Sequence, residues 1–286
     1  MQLSQIQQIE LDSISKTFTV YERPEGKWSL LKGAFVRQRR LVKALKDLSF
    51  SIGEGEVVGF IGPNGAGKST AVKVMSGILT PDSGTCQIMG LTPWIDRTEH
   101  VARIGVVFGQ RSQLWWDVPV MDSFRLLRKI YDIPDEVYEK RLSSLTEAID
   151  IGELLKTPVR QLSLGQRMRC ELVGSLLHSP RILFMDEPTI GLDAVSKLAL
   201  RAFLKEENRQ TGTTVMLTTH DMDDVEALCN RVMVIGHGRL LFNGKLTSVR
   251  ERFASYSGQD IDEITAAMYK ELDLDSSDPE YAEAAR

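Results

Sequence analysis

No apolar run in the 286 residues approaches the ~20 needed for a helix to cross a bilayer, so no membrane span is expected. The opening residues, MQLSQIQQIELDS, have neither a basic stretch nor an apolar core, and no secretory signal is expected. Cysteine is scarce. Cys86, Cys170 and Cys229 are widely spaced, odd in number and never form a Cys-x-x-Cys pair. That pattern excludes a disulfide framework and a cysteine zinc site, and it fits reduced, buried thiols in a cytosolic chain. There is no internal repeat, so any functional unit along the chain occurs once. What remains is ordinary for a folded protein: 42% apolar residues, 26% charged residues and a net charge of −4. The length suits one large α/β domain or two modest ones.

The charge is unevenly spread. Residues 257–286 carry nine Asp/Glu and two Lys/Arg, a net of −7 that leaves +3 for the rest of the chain. Residues 26–43 hold six basic residues and no acidic one.

Several short apolar runs end at glycines or polar clusters. Residues 55–61 (GEVVGFI), 182–185 (ILFM) and 213–217 (TTVML) read as buried parallel strands. Residues 43–52 and 84–89 read as strands of a flanking antiparallel sheet. Residues 231–235 and 239–242 straddle Gly236–Gly238 as a hairpin. Helical spacing covers 122–131 and 134–149, with Pro134 near a helix start. The expected fold is α/β: a P-loop NTPase (RecA-like) core, a flanking antiparallel β-subdomain and an α-helical insert of roughly 60 residues.

Residues 62–69 read GPNGAGKS, a full match to G-x-x-x-x-G-K-[ST], placed between an expected strand and a helical stretch at 70–77. Backbone N–H groups must converge on phosphates there, so side chains should be absent where the chain passes closest; Gly62, Gly65 and Gly67 meet that need. The following helix adds its positive N-terminal end. Lys68 is placed to reach the β- and γ-phosphates, and Ser69 to supply a Mg²⁺ ligand. Pro63, Asn64, Ala66 and Thr70 complete the nucleotide-phosphate-binding stretch.

Three further segments distinguish this loop from that of a kinase, a GTPase or a motor. Residues 161–167 read QLSLGQR, 181–193 read RILFMDEPTIGLD and 217–221 read LTTHD; upstream, 106–110 read VVFGQ. Together with GPNGAGKST, this ordered set resembles the ABC-transporter ATPase family over about residues 5–245. The resemblance implies an ATPase that works with ATP and Mg²⁺. It assigns Asp186 to Mg²⁺, Glu187 to proton acceptance from the attacking water, and His220 to the switch position that contacts the γ-phosphate. Gln110 matches the glutamine that senses γ-phosphate and Mg²⁺ at the hinge to the helical insert. Ser163, Leu164, Gly165 and Gln166 match the signature, which in the family faces ATP held by another subunit. Two copies would then close head-to-tail, with residues 190–193 (IGLD) as the D-loop crossing the seam. The family also places an aromatic residue against adenine. Phe18 is the preferred candidate and Tyr21 the alternative, and both also fit as packing residues.

One position departs from the commonest signature: Leu164 stands where glycine is usual, which puts the local backbone geometry in question. Leu164 and the phrase PTIGLD are similar to subfamilies serving exporters, so the resemblance extends to ABC-2-type exporter ATPases. It implies a peripheral subunit at the cytoplasmic face of the cell membrane, partnered by a transmembrane permease and a second ATPase subunit, and no nucleic acid.

The expected layout is a nucleotide-binding domain over 1–245, with a basic insertion at 22–41 and a helical subdomain at about 111–170. An acidic helical tail at 246–286 follows. In the insertion, Trp28, Leu31 and Phe35 share a helical face among basic residues, which suits a membrane surface or the permease; a solvated loop is the alternative. Trp115 and Trp116 suit the groove that receives the permease, or a core position in the helical insert. In the tail, Ile261, Ile264, Met268 and Leu272 suit an amphipathic helix. The rival for the whole chain is an ABC ATPase that serves no transporter, such as one in iron–sulfur assembly. The translation and DNA-repair types expect two cassettes or a long coiled coil, which this sequence lacks, and a non-ABC phosphate-loop kinase fails on LSLGQ and LTTHD.

Overall fold

The computed structural model describes residues 7–22, 38–109, 111–219 and 221–248. The expectations for the core of the basic insertion, for Gln110 and His220 themselves, and for the acidic tail from residue 249 lie outside the described residues. In chain order the elements are β1 (Gln7–Glu22), β2 (Gln38–Gly53), β3 (Val57–Ile61), α1 (Lys68–Met75), β4 (Ser83–Ile88), α2 (Arg97–Val101), β5 (Ile104–Phe108) and α3 (Val120–Ile130). They continue with α4 (Asp135–Ile149), α5 (Leu164–Leu176), β6 (Ile182–Asp186), α6 (Ala194–Thr211), β7 (Thr214–Thr219), α7 (Met222–Leu228), β8 (Arg231–Gly236) and β9 (Arg239–Lys245).

Two sheets result. The first is antiparallel, in the order β2-β1-β4; the second runs β5-β6-β7-β3-β8-β9, parallel except for β9. The parallel strands are apolar on both faces because layers cover both. Along β6, Ile182 and Phe184 join a core with Phe60, Met216, Met233, Val72 and Met75, filling the space between the two sheets around α1. The alternate residues, Leu183 and Met185, join Val215, Leu217, Val232 and Val234 under α3 to α6. All three cysteines are buried and free, and burial pushes each thiol up to about 12. Among the described residues no helix is long and apolar enough to cross a membrane.

The strands expected at 43–52 and 84–89 are present, and β2 is longer than expected. β1 runs to Glu22 and β2 begins at Gln38, with Tyr21 opposite Arg39 and Glu22 opposite Gln38. Both ends of the 22–41 segment are therefore a two-stranded ladder. Pro134 is the residue before α4, as its fixed φ favours at a helix start.

Candidate nucleotide site

The site forms beyond the carboxyl ends of β3, β6 and β7, where open parallel sheets place ligands. β3 delivers the chain into the loop at 62–67 and then into α1. Gly67 has φ +110, and a Cβ there would sit 2.6 Å from the Ala44 carbonyl oxygen. At Gly62 a Cβ would meet the Ile235 carbonyl oxygen at 2.2 Å. These two glycines are therefore demanded by the β2 and β8 backbones behind the loop, as well as by any ligand in front of it. The Gly238 N–H donates to the Ala66 carbonyl (2.9 Å) and the Lys46 N–H to the Gly238 carbonyl (2.9 Å), so the β8–β9 turn braces the loop.

A cavity of about 210 Å³ lies against the loop, lined by residues 64–70, Glu187, His237 and several residues of β2. No side chain caps α1, and its first-turn residues Lys68, Ser69 and Thr70 face this cavity with the positive end of the helix. Lys68 is only 5% exposed. Its ammonium donates to the Gly62 (2.6 Å) and Pro63 (3.1 Å) carbonyls and lies 3.7 Å from Glu187 Oε1. Burial pulls its pKa below the ordinary lysine value, opposed by the carboxylates of Glu187 and Asp186.

Asp186 ends β6. Its Oδ1 accepts from Ser69 Oγ (3.1 Å) and from Thr218 Oγ1 (2.6 Å). Thr218 also holds the next residue: the Glu187 N–H donates to the Thr218 carbonyl (3.0 Å) and hydroxyl (3.1 Å). Glu187 has φ 51, a left-handed conformation that a non-glycine residue adopts at a cost of roughly 1–3 kcal/mol. That turn aims its side chain into the cavity instead of onward along the strand. Ser69 Oγ and Asp186 Oδ1 form a close pair of hard oxygen donors, a donor set that fits a small divalent cation such as Mg²⁺. Phe18 is half-buried and does not line the cavity, whereas Val42, its partner in the β1–β2 register, does.

The signature residues lie elsewhere. Ser163 caps α5 in a full capping box: its Oγ accepts from the Gln166 N–H (3.2 Å), and its own N–H donates to Gln166 Oε1 (2.9 Å). None of residues 163–166 lines the cavity around Lys68. They pack instead on the D-loop. Leu164 Cδ2 would be 2.5 Å from a Cβ on Gly191, which has φ +70, and Ser196 Oγ would be 3.2 Å from a Cβ on Gly165. The departure at Leu164 thus has a physical reason: the leucine fills space left open by Gly191, and the helix start keeps ordinary cap geometry. Asp193 caps α6 through the Ser196 N–H (2.8 Å), fixing the other side of this contact.

Gln110 and His220 are outside the described residues, and hydrogen bonds hold the residues beside them. The Gly109 N–H donates to the Asp186 carbonyl (2.9 Å). On the far side, the Asp221 N–H donates to Thr219 Oγ1 (2.9 Å). Sequence reasoning missed Thr218, Asp224 and Arg201. Thr218 sits inside LTTHD and could have been found as the hydroxyl one strand away from Asp186. Asp224 looked like an ordinary acid in a helix's first turn; it is fully buried, bonded by Arg201 Nε (2.7 Å) and Thr189 Oγ1 (2.5 Å).

A strand-ended glycine loop, a buried lysine and two successive carboxylates at the end of β6 define a phosphate-loop nucleotide-binding domain. The family profile described as ABC transporter matches residues 45–190. The ABC transporter ATP-binding protein NatA of Bacillus subtilis (strain 168) is 31% identical over 217 residues, covering 76% of this chain and 88% of NatA. The Nod factor export ATP-binding protein I of Ralstonia nicotianae is 36% identical over 79% of this chain and 71% of its own length. The linearmycin resistance ATP-binding protein LnrL of Bacillus subtilis (strain 168) is 32% identical, over 80% and 72%. Among solved structures, cbiO1 from Clostridium perfringens, part of the ABC transporter complex cbiONQ, superposes with TM-score 0.69 at 26% identity, over 94% of this chain and 96% of cbiO1. The ATP-binding cassette MJ0796, solved as a dimer in a post-hydrolysis state with ADP and Pi, gives TM-score 0.68 at 25% identity, over 83% and 98%. The chain belongs to the ABC transporter family, as one of its ATP-binding ATPases.

Proposed function

We propose that this chain is the ATP-hydrolysing subunit of a multi-subunit ABC exporter, acting as a head-to-tail pair on a separate transmembrane permease at the cytoplasmic face of the membrane. The observation that carries the catalytic part is the cluster at the loop, where Lys68, Ser69, Asp186 and Glu187 converge on one cavity. In this reading the loop N–H groups and Lys68 bind the β- and γ-phosphates of ATP, and Lys68 exchanges its Gly62 and Pro63 carbonyl contacts for phosphate oxygens. Ser69 and Asp186, with Gln110, hold Mg²⁺, which when bound neutralises phosphate charge. Glu187, turned into the cavity by its left-handed backbone, accepts a proton from the attacking water. His220 contacts the γ-phosphate, and Phe18 or the β2 wall receives the adenine.

The placement of Ser163–Gln166 away from their own chain's cavity supports their service to a second copy's ATP. Export is favoured by the names of the relatives, which include Nod factor export, linearmycin resistance and a probable multidrug transporter. Half-exposed Trp115 and Trp116, at 41% and 50%, provide an aromatic surface for the permease. The test is mild-detergent purification of the tagged chain from its native membranes. A co-purifying multi-span protein that stimulates ATP turnover supports the proposal. Recovery of the chain only from the soluble fraction, with no membrane protein attached, would favour a non-transport ATPase.

A further inference from the structure

Glu171 is a buried carboxylate with no role in the mechanism above. It lies in the middle of α5 and is 3% exposed, a position that an unpaired charge could occupy only at high cost. The hydrogen bonds to its carboxylate come from the segment just after Gln110, and the Arg167 guanidinium on its own helix adds a favourable charge. Ser112 Oγ donates to Glu171 Oε1, the Gln113 N–H donates to Oε2 (3.1 Å), and Gln113 Nε2 donates to the Glu171 backbone carbonyl (3.0 Å). The Ser112 hydroxyl in turn accepts from the Leu114 N–H (3.2 Å), closing a tight turn around the carboxylate. Burial pushes the Glu171 carboxyl above its usual range, and the Ser112 and Gln113 hydrogen bonds oppose that shift.

Two further contacts use the same face of α5. One turn toward the signature, the Arg167 guanidinium lies over the Trp116 ring at 5.7 Å. Almost one turn the other way, Gly174 leaves room for Leu114, whose Cδ2 would be 3.3 Å from a Cβ there. Residues 167, 171 and 174 are spaced i, i+4, i+7, so one stripe of the helix carries residues 112, 113, 114 and 116. The near end of the same segment is fastened to the catalytic strand by the Gly109 N–H on the Asp186 carbonyl, and the Arg111 N–H donates to the Phe108 carbonyl (3.3 Å). The sequence position of Gln110 therefore falls between an anchor on the chain's own ATP site and a strap on the signature helix.

We infer that Glu171 is a positioning residue that straps the segment after Gln110 to α5, so that a shift at the γ-phosphate end moves Ser163–Gly165 as part of the same body. The inference rests on the ATPase reading proposed above. The carboxylate suits this task better than an apolar residue, because it fixes register through two directional hydrogen bonds where an apolar contact would let the segment slide.

The experiment uses the full-length chain and compares parent, Glu171→Ala, Ser112→Ala and the double variant. ATP affinity is read with a fluorescent nucleotide and turnover by phosphate release. In a Trp28→Phe/Trp94→Phe background, ATP-dependent emission reports Trp115 and Trp116. Glu171→Ala is expected to lower turnover about tenfold to a hundredfold, as misplacement of a catalytic element does, with ATP affinity within about twofold of the parent. The ATP-dependent emission change should disappear. Ser112→Ala should lose part of both signals, and the double variant should be no worse than Glu171→Ala alone, since both act through one contact. Parent-level turnover and emission in a folded Glu171→Ala chain would overturn the inference. Should that variant not fold, the same result in Ser112→Ala would overturn it. A parent chain that neither binds nor hydrolyses ATP would overturn the functional reading itself, and this inference with it.

Discussion

Replacing Glu187 by Gln should lower ATP turnover by about 10²–10⁴-fold while leaving ATP binding near the parent level. The geometry separates these two effects. Binding is assigned to the loop backbone and Lys68, whose ammonium is held by the Gly62 and Pro63 carbonyls, independent of Glu187 except for a contact at 3.7 Å. The Glu187 backbone is fixed by Thr218 and keeps its left-handed turn with a glutamine side chain of the same shape. What disappears is the proton acceptor. Isothermal titration for ATP and phosphate release for turnover check both halves on one preparation. Loss of binding along with turnover would mean that Glu187 acts through the loop structure and not as a base.

The second large effect concerns stability. Arg201→Ala is expected to destabilise the fold by roughly 3–5 kcal/mol, because it strands a buried carboxylate. Asp224 is fully buried, and Arg201 meets its Oδ1 through Nε (2.7 Å) and a second guanidinium nitrogen (2.5 Å). After the substitution, the Thr189 and Thr219 hydroxyls remain as its close hydrogen-bond donors, at 2.5 and 3.4 Å. Adding Asp224→Asn should recover part of the loss, since an amide is far less costly to bury than a charge. Urea denaturation of the single and double variants measures this directly. A loss below about 1 kcal/mol in Arg201→Ala would place the pair among exposed salt bridges, against its burial. The pair also ties α6 to the segments on either side of His220, through Thr219 and Asp221, and to Thr189, the residue before the D-loop. Turnover should therefore fall in any folded fraction of the variant as well.

Most of the nucleotide-binding core could be read from the chain because its parallel strands are short, apolar on both faces and end at glycines or polar clusters. Residues 57–61 and 182–185 are continuous runs without a polar side chain, and parallel strands covered by two layers have that pattern. The extent of β1 was not legible. Its 16 residues bulge repeatedly against β2, so the alternation that signals a half-buried strand is broken at Leu11, Ile14 and Lys16. The ladder at the ends of the basic segment was not legible for a related reason, since pairing at Glu22 and Gln38 depends on hydrogen bonds between strands and not on an apolar pattern.

At the site, local motifs carried what local spacing can express: the glycine loop, the Asp186–Glu187 pair and the start of α5. Partnerships over long sequence distance were silent. Nothing about Glu171 in a helical run signals Ser112, 59 residues earlier, and nothing about Asp224 signals Thr189, 35 residues earlier. The same holds for Leu164, whose oddity in the signature is explained only by Gly191 lying beneath it.

The central claim is that each chain carries half of two ATP sites, with Lys68 serving its own nucleotide and Ser163 the partner's. Subunit mixing tests it directly. Lys68→Ala and Ser163→Arg chains are each prepared alone, found folded by circular dichroism, and assayed for ATP turnover separately and after mixing. A mixed pair holds one composite site with the intact loop of the Ser163→Arg chain and the intact signature of the Lys68→Ala chain. The account predicts that each variant alone is nearly inactive and that the mixture recovers turnover well above the sum of the two. Parent-level turnover by Ser163→Arg alone, or a mixture equal to the sum of its parts, would contradict it.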